Sequence, residues 1–241
     1  MPCSTRPASA CAICRLRSTR SSETVPDLLR QSGQSSGGRR LRAAPVFTLQ
    51  GESVKIALIV LAAGLSRRFR QQAGEHKLLA RLDGKPLLQH TLEQAAASGL
   101  DLFVVTRPDA AALQALCTSA TLVLCDSGGL GESIAAGVNA TRDYDGWLIA
   151  LGDMPFVSAA SYRAVSTALA DAPVVRSWVA GRPGHPVGFQ RHCYPVLSSL
   201  QGDSGPQALV NASAVRLPLH DRGCLCDIDF PADLELIKEF S

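Results

Sequence analysis

With 241 residues, 46% of them hydrophobic, and a net charge of +3, the chain suits one well-packed α/β domain with an appendage rather than two separate cores. The net charge hides an asymmetry. Residues 1–50 hold eight arginines against Glu23 and Asp27, a balance of +6 that leaves −3 for residues 51–241, so the remainder offers no nucleic-acid-binding face.

Residues 1–52 are rich in Ser, Arg and Gly and lack the apolar content to offset their ordering entropy, which predicts a disordered arm. Residues 53–241 are the expected folded unit. The eight cysteines are scattered, and Cys11-Ala12-Ile13-Cys14 has half the spacing of a zinc site without a second pair to complete it. Reduced thiols are expected, as is the absence of a membrane partner, since no apolar run approaches the ~20 residues of a span. A soluble cytoplasmic protein is the reading.

From Lys55 the pattern becomes regular. An apolar, β-branched run at Ile56–Leu61 reads as a strand, followed by a helix that opens at Pro86 and closes at Ser98-Gly99. Strand-like runs at Leu102–Val105 and Leu122–Leu124 flank a helical segment at Asp109–Leu116. A helix over Glu132–Ala140, the run Trp147–Leu151 and a helix over Ala159–Ala170 come next. Buried runs alternating with helices predict a single Rossmann-like, mostly parallel sheet flanked by helices. Further on, Val174–Ala180, Pro186–Phe189 and Val215–Leu219 read as strands. Stretches from Gln190 and Ser204 read as helical, and Pro231–Phe240 as a closing amphipathic helix.

Two strand ends carry the chemistry. The first apolar run ends in the small-residue turn Leu61-Ala62-Ala63-Gly64-Leu65-Ser66-Arg67-Arg68, and Trp147–Leu151 ends in Gly152-Asp153-Met154-Pro155. One turn can wrap backbone N–H groups around phosphates; the other offers a carboxylate to Mg²⁺. Neither a GxGxxG fingerprint nor a Walker A loop is present, and Gly84-Lys85-Pro86 lacks the Ser or Thr that would follow the lysine.

These residues, with Lys77-Leu78-Leu79 and Gly84-Lys85-Pro86-Leu87-Leu88, resemble the signature "LAAGxSxRMG…KLL…GxPLL" of the MobA-like nucleotidyltransferases. Four further segments match in order: Gly129–Gly137 resembles "GLSxSLxxG", Leu151–Pro155 "LGDMP", Gly184–Val187 "RGHPV", and Asp227–Asp233 "DIDTPED". Within the family the chain looks most like the molybdenum cofactor cytidylyltransferases. The resemblance implies transfer of CMP from CTP to a phosphorylated acceptor, with release of pyrophosphate. The acceptor implied is a molybdopterin-type cofactor, with Mg²⁺ as the metal and a molybdoenzyme or its chaperone as a further partner. Other members of this enzyme class take sugar or alcohol phosphates, and a non-catalytic nucleotide-binding maturation factor is the remaining alternative.

By the same resemblance Arg68 and Lys77 hold the triphosphate, and Asp153 binds metal with Asp227 or Asp229. Leu61, Ala62, Ala63 and Gly64 face the nucleotide, Gly131 and Ser133 lie near its base or ribose, and His185 contacts the acceptor from a Gly-His-Pro turn. Several positions depart from the pattern. Phe69-Arg70 stands where Met-Gly is usual, Gln71–His76 lengthens the loop before Lys77, Glu132 brings an acid towards the nucleotide, and Pro183 replaces an arginine. Gly202-Asp203-Ser204-Gly205-Pro206 has the look of a serine-protease nucleophile motif, but the chain shows neither the all-β pattern nor the upstream histidine of such proteases. Asp203 or Ser204 is instead the expected cap of a helix.

Overall fold

The computed structural model describes residues 54–126 and 128–238, with side chains as far as 234. The expected N-terminal arm and its Cys-x-x-Cys pair lie outside the described residues.

The sheet is built around β1 (Ile56–Leu61), whose six residues Ile-Ala-Leu-Ile-Val-Leu are buried on both faces. A strand covered on both sides can be continuously apolar, which is why the run shows no alternation. Beside it lie β4 (Asp101–Thr106) and, outermost, β5 (Thr121–Leu124). On the other side come β6 (Gly146–Leu151), β8 (Arg182–Gln190), β7 (Val174–Val179) and β9 (Ala214–Pro218), giving the order β5-β4-β1-β6-β8-β7-β9. The pairs β1–β4, β1–β6, β4–β5 and β7–β9 are parallel, while β8 is antiparallel to both neighbours. Six strands therefore run one way and β8 alone runs the other. A separate two-stranded ribbon pairs β2 (Arg81–Leu82) with β3 (Lys85–Pro86).

Chain order places a switch point at the centre. From β1 the chain moves outward through β4 to β5, then returns across β1 to β6, so the loops leaving β1 and β6 diverge and open a crevice beyond their carboxyl ends.

Eight helices are described, and two layers of them cover the sheet. On one face, α2 (Leu87–Ala97) buries Leu87, Leu88, Leu92 and Ala95, a helical spacing, and packs with α5 (Ala159–Ala168). Ser158 starts α5 by accepting a hydrogen bond from the N–H of Ser161. On the other face lies α4 (Leu130–Ala140), which buries Ile134 and Val138 among Ile59, Val105 and Ile149. Beyond it are α6 (Tyr194–Leu197) and α7 (Gln207–Ser213). The short α3 (Ala111–Gln114) and the C-terminal α8 (Pro231–Lys238) complete the set.

Three segments differ from the sequence reading. The first part of the lengthened loop expected over Gln71–His76 is helical: Gln71–Ala73 end α1 (Arg67–Ala73), which is anchored by fully buried Phe69 and stopped by Gly74 at φ 75. The Phe69 that departs from the family pattern is thus a core anchor. The Gly-His-Pro segment is not a turn: it lies inside β8, with a cis His185–Pro186 peptide. The reversal falls earlier, at Ala180-Gly181, where both residues have positive φ (48 and 77) and Val179 pairs with Arg182. Such a two-residue turn matches the twist of a hairpin. Finally, α7 begins after Pro206 without a side-chain cap, so neither Asp203 nor Ser204 caps it.

Candidate nucleotidyl-transfer site

The crevice at the switch point is a cavity of about 530 Å³. Its walls are the turn from Leu61 to Phe69, Lys77 and Leu78, the start of α4 from Gly128 to Leu130 with Ser133, and Leu151, Asp153, Asp203 and Asp229. Leu61, Ala62, Ala63, Gly64, Arg68, Lys77, Ser133 and Asp153, far apart in sequence, meet here as expected.

Backbone bonds fix the two turns against each other. Gly152 N–H donates to the Leu61 carbonyl at 3.0 Å, Ala62 N–H to that of Val105 at 2.8 Å, and Ile228 N–H to that of Asp153 at 3.1 Å. The hydroxyl of Thr91 on α2 donates to the Gly152 carbonyl at 3.0 Å. Asp229 is held in turn by α8, where the Asp233 carboxylate accepts from the N–H groups of Asp229 (2.9 Å) and Phe230 (2.8 Å). One carboxylate thus comes from the end of β6 and the other from the segment entering the last helix.

Lys77 joins them. Its ammonium donates to Asp153 Oδ2 and, at 3.2 Å, to Asp229 Oδ1. Burial works against the charge on Lys77, but the two carboxylates, Asp153 first, outweigh it and hold its pKa above the ordinary lysine value. The Arg68 guanidinium reaches Asp229 at 3.4 Å with 71% of its side chain exposed, a contact worth little by itself that leaves the cation free to reorient. Asp153 Oδ1 is buried and has no partner. Asp227 is more exposed than Asp229, yet partial burial of its carboxyl, then Asp153 and Asp229, raise its pKa.

Among the described residues no three His, Cys, Asp or Glu side chains converge as a ready metal cage. Two carboxylates with one unpartnered buried oxygen instead match a small hard cation that completes its shell with waters and phosphate oxygens.

His76, read from sequence as surface or structural, braces the site. Its Nδ1 accepts from Leu78 N–H at 3.2 Å at the start of the 3-10 turn Lys77–Leu79, which leaves Nε2–H to donate to the Gly64 carbonyl at 2.9 Å. The glycine turn and Lys77 are thereby locked together through one neutral imidazole, and burial lowers its pKa accordingly. Glu132 is a brace as well. Its carboxylate accepts from Gly128 N–H and, at 3.4 Å, from Gly202 N–H, so the acid is directed into loop backbone.

Three expected residues stand off the cavity wall: Gly131, His185 and Asp227. Gly131 is covered by the loop 201–204; a Cβ there would lie 2.5 Å from the Ser204 carbonyl oxygen and 2.9 Å from that of Gln201. Its N–H donates to the Gly202 carbonyl at 2.8 Å. Gly131 therefore brings a loop down onto α4 rather than making room for a base, and Asp203 on that loop is a wall residue the sequence reading did not assign. His185 sits on β8 beside the end of β6, near enough for the Asp153 charge to act on it.

Residues 58–217 match the MobA-like NTP transferase domain family. The chain belongs to that family. Its fold is similar to that of Rv0371c from Mycobacterium tuberculosis H37Rv, at 26% identity and a TM-score of 0.68 over 78% of this chain and all of that one. A structure of Rv0371c in complex with manganese is 25% identical at a TM-score of 0.66, over 78% of this chain and 100% of that one. Molybdopterin-guanine dinucleotide biosynthesis protein A from Archaeoglobus fulgidus shares the fold at 20% identity and a TM-score of 0.59, over 76% of this chain and 97% of that one. No curated protein matches the chain. Membership makes the protein a nucleotidyltransferase, and no helix among the described residues is long and apolar enough to cross a membrane.

Proposed function

We propose that the protein transfers CMP from CTP to a phosphorylated acceptor, a molybdopterin-type cofactor, and releases pyrophosphate. The observation that carries this reading is Lys77 shared between Asp153 and Asp229 at the cavity walled by the small-residue turn. Transfer is in-line attack of an acceptor phosphate oxygen on the α-phosphorus: a P–O bond forms to the acceptor and the α–β bridge breaks. A phosphate nucleophile at neutral pH has no proton to lose, so the protein's task is positioning and charge neutralisation.

In this reading Leu61, Ala62, Ala63 and Gly64 lie along the nucleotide, with Ser133 across from them. Lys77, kept charged by its two carboxylates, and Arg68, exposed at the rim, offset charge on the departing pyrophosphate. Asp153 and Asp229 would hold Mg²⁺, with Asp229 favoured over Asp227 because it shares Lys77 with Asp153. When bound, the ion would neutralise phosphate oxygens as they gain charge. CTP is assigned from the alanine at position 63 and the acceptor from the family motifs. Among the described residues, Cys117, Cys125, Cys193 and Cys224 are free thiols, which suits a reducing cytoplasm.

The test is incubation of the purified chain with each NTP in turn, Mg²⁺ and molybdopterin, following pyrophosphate and identifying products by mass. A cytidine dinucleotide of the cofactor is expected. Pyrophosphate release only with a sugar or alcohol phosphate would reassign the acceptor, and none with any combination would refute the enzymatic reading.

A further inference from the structure

Two buried polar atoms beside the site have no partner within the protein: Arg176 Nε on β7 and His185 Nδ1 on β8. They occupy one face of the sheet. Val174 packs under α4 and α7, and alternation along β7 puts Arg176 on that same face. On β8, Gly184 and Gly188 face the opposite side, against Cys224 and against Val165 and Leu169 respectively, while Val187 and Phe189 face the α4 side with His185. The pairing of β7 with β8 shifts at this place, from Arg176 opposite Val187 to Trp178 opposite Pro183, so extra β8 residues bulge out at His185. Bulges of this kind re-aim side chains, and His185 lies near enough to the Arg176 guanidinium and to Asp153 for both charges to act on it.

Each group has a definite unmet need. Arg176 is half-buried, and among the described residues no carboxylate pairs with it, although seven other ion pairs are formed. A guanidinium withdrawn from water in this way lacks an anion, and burial depresses its pKa. His185 donates to the Ile149 carbonyl. Since Nδ1 is the unpartnered nitrogen, the donor is Nε2–H, which leaves Nδ1 a lone-pair acceptor waiting for an O–H or N–H. A single ligand with an anionic group and a neighbouring hydrogen-bond donor would satisfy both.

We propose that Arg176 is the acceptor's phosphate-binding residue and makes a recognition pair with His185, whose acceptor contact the family resemblance already implies and whose Nδ1 would accept from a hydroxyl or N–H group of the same molecule. The inference rests on the nucleotidyl-transfer reading for the word acceptor, but the pair itself follows from the two unpartnered atoms. It also accounts for Pro183 in place of the family's arginine: the cation for this side is supplied from β7 instead.

The experiment is a calorimetric titration of the full-length protein with three probes: inorganic phosphate, ethyl phosphate and glycerol 3-phosphate. A non-hydrolysable CTP analogue and Mg²⁺ keep the triphosphate pocket filled. The parent should bind phosphate, and Arg176→Met should weaken that binding at least ~10-fold, the scale of a charge-assisted hydrogen bond, with affinity for the analogue unchanged. Arg176→Lys keeps the charge, safeguards against a folding defect, and should fall between the two. The parent should prefer glycerol 3-phosphate to ethyl phosphate, and His185→Phe should erase that preference. No phosphate binding by the parent, an unchanged affinity in Arg176→Met, or a preference that survives His185→Phe would overturn the assignment. Failure of the analogue to bind would count against the nucleotide reading alone, since the Arg176 variants are then compared in phosphate without it.

Discussion

The two halves of the sheet solve different problems. On the β1–β6 side, parallel strands end in turns whose backbones are bonded to one another, and four charged groups at the cavity pair within the protein, Lys77 with Asp153 and Asp229 and Arg68 with Asp229, leaving Asp153 Oδ1 as the buried atom without a partner. On the β7–β8 side, a hairpin with one reversed strand carries Arg176 and His185 with buried atoms unmatched. A triphosphate is common to all reactions of the family, so its side can be preassembled from complementary charges. Where the hairpin receives the acceptor, as proposed, its two unmatched atoms are the needs that an acceptor would meet. On the proposed reading, chemistry and specificity occupy separate pieces of backbone, joined at Asp153.

The sharpest way to break this division is at Asp153. Removing its carboxylate as Asp153→Ala should lower turnover by at least ~10²-fold, the cost of losing a preorganised electrostatic group, while Tm moves little because Lys77 retains Asp229. Near-normal turnover measured by pyrophosphate release would move the chemistry elsewhere.

Acid stability should distinguish the halves next. Burial, assisted by Arg176, pushes the pKa of His185 from 6.5 to about 4. The unfolded chain takes up this proton near pH 6.5 and the folded chain only near pH 4. Stability is therefore intact above 6.5 and is lost as pH falls to about 4, by about 3 kcal/mol from this group. His76 acts in the same direction, while Asp227, with its raised pKa, opposes them. Urea denaturation from pH 7 to 4 should show a shallower slope for His185→Gln than for the parent, and identical slopes would contradict a buried neutral imidazole.

What the sequence made legible falls along the same division. β1 and α2 could be read because each is dictated by its own residues, a β-branched run buried on both faces and leucines at helical spacing. The turn after β1 and the Gly152-Asp153 turn could be read because their chemistry is local. The direction of β8 could not, since alternation is the same in either sense and Pro183, Gly184 and Pro186 look like a turn. Arg67–Ala73 has a single apolar anchor, Phe69, and so no period to detect. Arg176 left one usable signal: a charge on the core-facing side of Val174-Val175-Arg176-Ser177-Trp178-Val179, where an apolar residue is expected. The role of Gly131 was out of reach, because it depends on a loop some 70 residues later.

That seam can be tested directly. An added methyl in Gly131→Ala would meet the backbone of Gln201, Gly202 and Ser204, which has no flexible end to yield. The loop must lift, at a cost of about 1–3 kcal/mol by denaturant titration. Because Asp203 belongs to both loop and cavity wall, KM should rise as well. A fully stable variant would show that the loop is not seated on α4 in solution.

The smallest effect concerns base choice within the nucleotide half. Ala63 is buried where β1 ends, in the cluster with Ile134 and Val105 and at the cavity it helps to line, and on the proposed reading a base lies across it with its methyl fixed by the backbone. A purine sweeps a larger area over that surface than a pyrimidine. The parent should favour CTP over GTP in kcat/KM by the roughly 10–200-fold that one misfit contact provides. Ala63→Gly should narrow the gap without closing it, since Ser133 and the Gly128–Leu130 backbone still face the nucleotide from α4. Competition between CTP and GTP at equal concentration reads the ratio directly in both proteins. Equal use by the parent, or a gap that the glycine leaves untouched, would take base selection away from this turn and place it on the α4 side of the cavity.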